Sequence, residues 1–150
     1  MRTTISRYAI LLAVAAAVAL ILPAAPARAS EEAKFRVIVV KATNDGEAMD
    51  ADLQKYAGLL QNKGFKNFTK LGSQSFSLAK DASETVGVSG NLRVTFTFIS
   101  EVNNRIAFQY QIFVGKDAKP AIKHSIPRGG KTVLIISLTD SAYMLIIEVE

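Results

Sequence analysis

The sequence LRVTFTF, at residues 92–98, alternates apolar and polar side chains at every position. Successive side chains of a β-strand point to opposite faces of the sheet, so this alternation predicts a strand with one buried face and one face in water. The sequence RIAFQYQI, at residues 105–112, repeats the pattern, and Asn103 and Asn104 before it tolerate the positive φ of a tight turn. The two segments are therefore predicted to form a β-hairpin.

One segment of the chain predicts a helix. Its apolar positions follow the spacing i, i+3, i+4, i+7 and are Leu53, Tyr56, Ala57 and Leu60. This spacing places the four side chains on one face of a helix. Asp50 offers a carboxylate for the N-cap, and Gly64 fits the position just past the end. The segment therefore predicts an amphipathic helix of about 13 residues.

Several further segments predict strands, and some of these are apolar on both faces. Residues 34–41, 133–136 and 144–147 are the clearest examples. Strands of this kind are found where both faces of a sheet are covered. We therefore expect an α+β fold, in which the amphipathic helix follows the first strand. The helix is expected to pack on a mostly antiparallel sheet or sandwich of about six to eight strands.

Residues 1–29 predict a cleaved signal peptide of the Sec type. Arg2 and Arg7 precede the apolar run at residues 9–22, and small residues lead to a cleavage site after Ala29. The run is shorter than the roughly 20 apolar residues of a membrane-spanning helix. Cleavage would leave residues 30–150 as a single exported domain, periplasmic or extracellular. An uncleaved N-terminal anchor is the alternative, and the alanine-rich leader is typical of a bacterial protein.

Export also changes the charge of the chain. All 13 acidic residues stay while Arg2, Arg7 and Arg28 leave, which lowers the formal net charge from +5 to +2. Because nucleic-acid binding depends on a clustered excess of lysine and arginine, a nucleic-acid partner is not expected. The absence of cysteine excludes disulfides, and one histidine cannot supply the usual ligands of zinc. We expect no cofactor, and no transmembrane segment after cleavage.

A basic stretch near the C-terminus is the strongest candidate for a binding site. It consists of Lys116, Lys119, Lys123, His124, Arg128 and Lys131. Charge complementarity would allow it to bind an anionic polymer or an acidic envelope protein, and addition of a partner strand at a sheet edge is a second mode. The alternative is a solvated loop and edge strand, where lysines discourage association between sheets.

An acidic cluster precedes and begins the predicted helix. It consists of Asp45, Glu47, Asp50 and Asp52. Carboxylate oxygens close in sequence are candidate ligands for calcium, although the spacing does not match an EF-hand loop. The alternative is structural, because carboxylates at a helix N-terminus are favoured by the helix dipole.

The sequence does not support catalysis by a serine–histidine pair. His124 and Ser125 are adjacent in a predicted strand, so their side chains point to opposite faces and cannot form a catalytic pair. We therefore expect a non-enzymatic binding or assembly module of the bacterial cell envelope, which contacts its partner through the basic loop and a strand edge. Two alternatives stay open: a small secreted enzyme that uses the acidic cluster, and a binder of apolar ligands within the sandwich.

Overall fold

A computed structural model describes residues 31–150 of the protein. The predicted signal peptide and its cleavage site lie outside these residues. Strands account for 66% of the described chain, so the fold is mostly β. In chain order the strands are β1 (Glu32–Thr43), β2 (Ala48–Met49), β3 (Asn67–Ala79), β4 (Ser83–Ser89), β5 (Leu92–Val102), β6 (Arg105–Val114), β7 (Asp117–Ala118), β8 (Ile122–Pro127), β9 (Lys131–Ser137) and β10 (Ser141–Val149).

The strands form two sheets. Sheet A has the order β2-β3-β1-β10-β9, and sheet B has the order β4-β5-β6-β7, with β8 also paired to β6. All of these pairs are antiparallel except the short pair between β2 and β3. Buried side chains from both sheets share one core, so the arrangement fits the predicted β-rich sandwich. Within residues 31–150, no helix has the length and apolar character needed to cross a bilayer.

The predicted hairpin is confirmed as β5 and β6. The two strands are antiparallel, and Asn103 and Asn104 turn the chain with φ of 53° and 60°. The apolar residues of β5 are fully buried at Val94, Phe96 and Phe98. Strict alternation therefore directs one face of this hairpin into the core between the sheets.

Aromatic rings fill the centre of the core between the sheets. Phe35 of β1 lies 5.5 Å from Phe108 of β6 in an edge-to-face arrangement, measured between ring centroids. The ring centroids of Phe76 in β3 and Phe96 in β5 are 6.1 Å apart, and the two rings are tilted by 38°. Aromatic pairs at these separations add about 0.5–1.5 kcal/mol beyond the burial of their area. These contacts hold the two sheets together.

A short helical segment covers the other face of sheet A. A 3₁₀ helix at Ala51–Tyr56 continues into the α-helix α1 at Ala57–Leu60. Leu53, Tyr56 and Leu60 are buried against a second cluster that includes Ile38 and Ile146 of the sheet. Sheet A is therefore covered on both faces, by sheet B on one side and by the helical segment on the other.

The helical segment differs from the predicted α-helix of about 13 residues. Only four residues are α-helical, and the 3₁₀ turn before them is tighter. Leu53 and Tyr56 are three residues apart, which aligns them in a 3₁₀ helix, whereas Tyr56 and Leu60 have the four-residue spacing of an α-helix. Asp50 occupies the position before the first turn but makes no side-chain cap, because its carboxylate accepts a hydrogen bond from the backbone N–H of Lys70 at 2.8 Å.

Candidate functional site

The acidic cluster does not gather around a common point. Glu47 forms an ion pair with Lys66 at 3.1 Å, and Asp52 forms one with Lys70 at 2.9 Å. Asp50 accepts the backbone N–H of Lys70, and the carbonyl of Asp45 accepts a hydrogen bond from the side chain of Asn67. No group of three or more metal-binding side chains occurs within residues 31–150.

The contacts of the acidic cluster fix the position of the helical segment. All four acidic residues are bonded to the segment at residues 66–70, so they attach the helical segment and β2 to the start of β3. The secreted-enzyme alternative requires two carboxylates that face one substrate. In this cluster the oxygens of Asp50 and Asp52 are directed to Lys70 instead.

The basic stretch is divided among several surfaces, and Arg128 has its own partners. Its Nε donates to Oε1 of Glu101 at 3.0 Å, and its Nη1 donates to the carbonyl of Glu150. The hydrogen bond and the charge of Arg128 lower the pKa of Glu101, and the same pair raises the pKa of Arg128. Arg128 therefore joins β5 of sheet B to the end of β10 in sheet A.

The other basic residues point in different directions. Lys123 of β8 is in register with Gln109, on the outer face of sheet B. His124 lies on the opposite face of the strand, with its ring 5.8 Å from that of Phe108. The Nζ of Lys131 lies 5.3 Å from the centroid of the Tyr56 ring, beneath the helical segment. Lys116 and Lys119 flank the short strand β7 at the end of the sandwich.

The strands that carry most of this stretch lie at sheet edges. Among residues 31–150, β9 is the last strand of sheet A and pairs only with β10, while β8 lies beyond β6 in sheet B. The turn at residues 127–130 connects the two strands, so both edges lie on the same side of the sandwich. The basic stretch therefore includes one edge strand of each sheet, β8 in sheet B and β9 in sheet A.

An apolar cleft opens between the sheets at one end of the sandwich. Its volume is about 490 Å³. Its large apolar lining residues are Leu92, Ile112, Val114, Ile136, Leu138 and Tyr143. Leu138 is 49% exposed and Val114 is 42% exposed, so the cleft opens to solvent. Lys119 is the charged residue of its wall.

A cationic cleft lies between the 3₁₀ helix and strands β1 and β3. Its volume is about 480 Å³, and its charged residues are Arg36, Lys55, Lys70 and Asp52. Sequence reasoning missed the three cations because they come from three separate elements and form no local pattern. Register could have found part of the site, since Arg36 lies on the outer face of β1, beside the residues that the helix covers.

The chain matches no protein-family model, and no curated protein or solved structure is significantly similar to it. The fold defines the class of protein as a two-sheet β-sandwich in which a short helical segment covers one sheet.

Proposed function

We propose that the protein is an exported, non-enzymatic binding or assembly module of the bacterial cell envelope that receives an extended segment of a protein partner at the edge of β9. Export rests on the leader predicted at residues 1–29. The observation that carries the binding mode is the edge of β9, which no other strand of residues 31–150 covers and which has no charge, proline or bulge at its centre.

The other sheet edges carry such features. β8 presents Lys123 and His124 and ends at Pro127, while β4 has a register shift between Gly87 and Ser89. Charges, prolines and bulges at an edge disfavour pairing with another strand. β3, beyond its short pairing with β2, has a register shift at Leu71, followed by the polar sequence GSQS at residues 72–75. These three edges are protected against strand addition.

β9 has none of these features at its centre. Residues 133–136 are Val-Leu-Ile-Ile, its pairing with β10 has no register shift, and it contains no proline. Ile135 is 36% exposed on the helix side of the strand. A regular apolar edge of this kind supplies main-chain hydrogen bonds for affinity and side-chain contacts for specificity. β9 is therefore the docking edge.

Charge defines the partner segment further. Lys131 begins β9, and Lys123 and His124 lie on the neighbouring edge. An incoming strand with acidic residues beside an apolar centre would complement these charges. Arg128 does not take part, because Glu101 and the carbonyl of Glu150 already occupy its guanidinium group.

Capture from an envelope extract tests the proposal. Ile135→Lys places a charge on the edge of β9, and Ile122→Lys places the same charge on β8, where Ile122 is 47% exposed. The purified protein and the Ile122→Lys variant should retain the same partner, identified by mass spectrometry, and Ile135→Lys should lose it. Bound partner should also slow hydrogen exchange of the β9 amides. Equal capture by both variants contradicts strand addition at β9.

The apolar cleft at the end of the sandwich favours a second function, the binding of a small apolar ligand. Its volume of about 490 Å³ is within the range of small-molecule sites. Leu138→Glu at the mouth of the cleft should abolish binding of an apolar fluorescent dye, whereas Leu71→Glu at an equally exposed position of β3 should leave it unchanged. Loss in both variants, or in neither, contradicts a ligand site in the cleft.

A further inference from the structure

The cationic cleft beside the helical segment brings together charges from distant parts of the chain. Arg36 belongs to β1, Lys55 to the 3₁₀ helix and Lys70 to β3. Asp52 is the acidic residue of the wall, so the lining has a net charge of +2. Convergence of charges from three elements of a packed sandwich fixes their relative positions before any ligand arrives.

Two of these side chains are held in place by neighbours. The Nζ of Lys70 is 2.9 Å from Oδ2 of Asp52, and the Lys70 side chain is only 26% exposed. The Nζ of Lys55 lies 4.8 Å from the centroid of the Tyr56 ring, a distance typical of a cation–π contact. The pKa of Asp52 is lowered first by its hydrogen bond from Lys70, then by the charge of Lys70, and further by Lys55 and Arg36. The positive charges of Arg36, Lys55 and Lys70 are therefore all close enough to Asp52 to lower its pKa.

Tyr56 also lines the cleft, but its hydroxyl is shielded from solvent. The residue is only 1% exposed, and the buried hydroxyl has no hydrogen-bond partner among the described residues. Because a ligand in the cleft does not reach this atom, the hydrogen-bond donors of the site are the three cations, Arg36, Lys55 and Lys70.

We propose that the cleft binds a phosphate group carried by a small molecule or by a lipid headgroup. A phosphate monoester has a charge of about −1.5 to −2 near neutral pH and three strong acceptor oxygens. That charge matches the +2 of the lining, and the oxygens match the forked donors of Arg36 and the ammonium groups of Lys55 and Lys70. A carboxylate has half of that charge and two oxygens, so it fits the cleft less well.

Titration of the purified protein with inorganic phosphate, pyrophosphate and a hexose phosphate tests the site, with acetate as the carboxylate control. NMR amide shifts should saturate around residues 36, 55, 56 and 70, with one ligand bound per chain. Arg36→Gln and Lys55→Gln should each weaken binding about tenfold or more, because each removes a charge-assisted hydrogen bond. Absence of saturable binding to any of these phosphates, and to phosphatidic acid vesicles, overturns the proposal.

Two controls separate the site from general charge effects and from folding. Lys123→Gln makes the same charge change on sheet B and should leave phosphate binding unchanged; equal weakening by Lys123→Gln overturns the proposal. Tyr56→Phe should keep or raise the melting temperature, because it removes an unpaired buried hydroxyl, and should leave phosphate binding unchanged. Weakened phosphate binding in Tyr56→Phe overturns the assignment of the three cations as the donors of the site.

Vesicles distinguish the two sources of phosphate. Phosphatidylcholine vesicles with added phosphatidic acid should compete with hexose phosphate if the ligand is a headgroup, and should fail to compete if it is a soluble molecule. The site is independent of strand addition at β9. Arg36→Gln should retain the captured envelope partner, and Ile135→Lys should retain phosphate binding, so failure of one proposal is distinguishable from failure of the other.

Discussion

Sheets A and B differ in the number of faces that the protein covers, and their sequences differ accordingly. β10, in the middle of sheet A, is buried at four consecutive residues, Met144, Leu145, Ile146 and Ile147. β5, in the middle of sheet B, alternates buried and accessible positions along residues 92–98. Continuous apolar sequence therefore marks the sheet between two layers, and alternating sequence marks the sheet with one open face.

The open face of sheet B is built from hydroxyl groups and amides. The hydroxyls of Ser83 and Thr97 are 2.7 Å apart, and those of Thr85 and Thr95 are 2.8 Å apart. These pairs cross between β4 and β5 on the face that is turned away from the core. The corresponding face of sheet A is covered by the helical segment. Positions on this face therefore require apolar side chains, whereas the equivalent positions of sheet B require polar ones.

Truncation of Ile146 is the strongest test of this difference. Ile146 lies on the face of sheet A beneath the helical segment and is fully buried. Ile146→Ala should lower the free energy of unfolding by about 2–5 kcal/mol, because it removes apolar contact and leaves a cavity. Urea denaturation followed by circular dichroism measures the change.

Gln109→Ala, on the open face of sheet B, is the matched control for Ile146→Ala. It should change the free energy of unfolding by no more than about 0.5 kcal/mol, as is usual for surface positions. Similar losses for the two variants would show that the two outer faces are equivalent.

The difference between a sheet covered on both faces and a sheet with one open face also explains which parts of the fold the sequence predicts. Alternation at residues 92–98 and 105–112 predicted a hairpin because one face of sheet B is open, and the structure has this hairpin as β5 and β6. The helical segment was harder to predict. Its apolar spacing showed which face is buried, but the tether between Asp50 and Lys70, which shapes its first turn, joins residues 20 positions apart.

The candidate sites show a similar limit. The basic stretch at residues 116–131 was visible because its charges are close in sequence, yet the structure distributes them over both sheets. The cationic cleft was not visible, since Arg36, Lys55 and Lys70 meet only when β1, the 3₁₀ helix and β3 pack together. A single sequence shows local clusters of charge, whereas sites built from separate elements require the fold.

The ion pair between Glu101 and Arg128 connects the two sheets and should make stability depend on pH. The hydrogen bond and the charge of Arg128 lower the pKa of Glu101 below the ordinary value of a glutamate. The pair therefore stabilises the folded state at pH values well above the pKa of an unfolded glutamate, and this contribution is lost as the pH falls through the lowered pKa of Glu101. At neutral pH, Glu101→Gln should unfold at a lower urea concentration than the wild type. This difference between the two urea midpoints should become smaller in acid.

Glu32→Gln is the control for this experiment, because Glu32 is exposed and forms no ion pair within the described residues. The difference in urea midpoint between Glu32→Gln and the wild type should not shrink in acid as the difference for Glu101→Gln does. If the urea midpoints of Glu101→Gln and the wild type differ by the same amount at every pH, the charge of Glu101 makes no contribution to holding the sheets together.

The hydroxyl pair between Thr85 and Thr95 should have the smallest effect. Thr95→Val keeps the branched shape that suits a strand and removes one partner of a pair on the open face of sheet B. A cross-strand pair of this type contributes about 0.2–1 kcal/mol, and the remaining hydroxyl can bond to water instead. A double-mutant cycle with Thr85→Val isolates this coupling from the changes in each strand. A coupling of about 2 kcal/mol or more would mean that the hydroxyls are shielded from water, and would place a cover over sheet B like the one over sheet A.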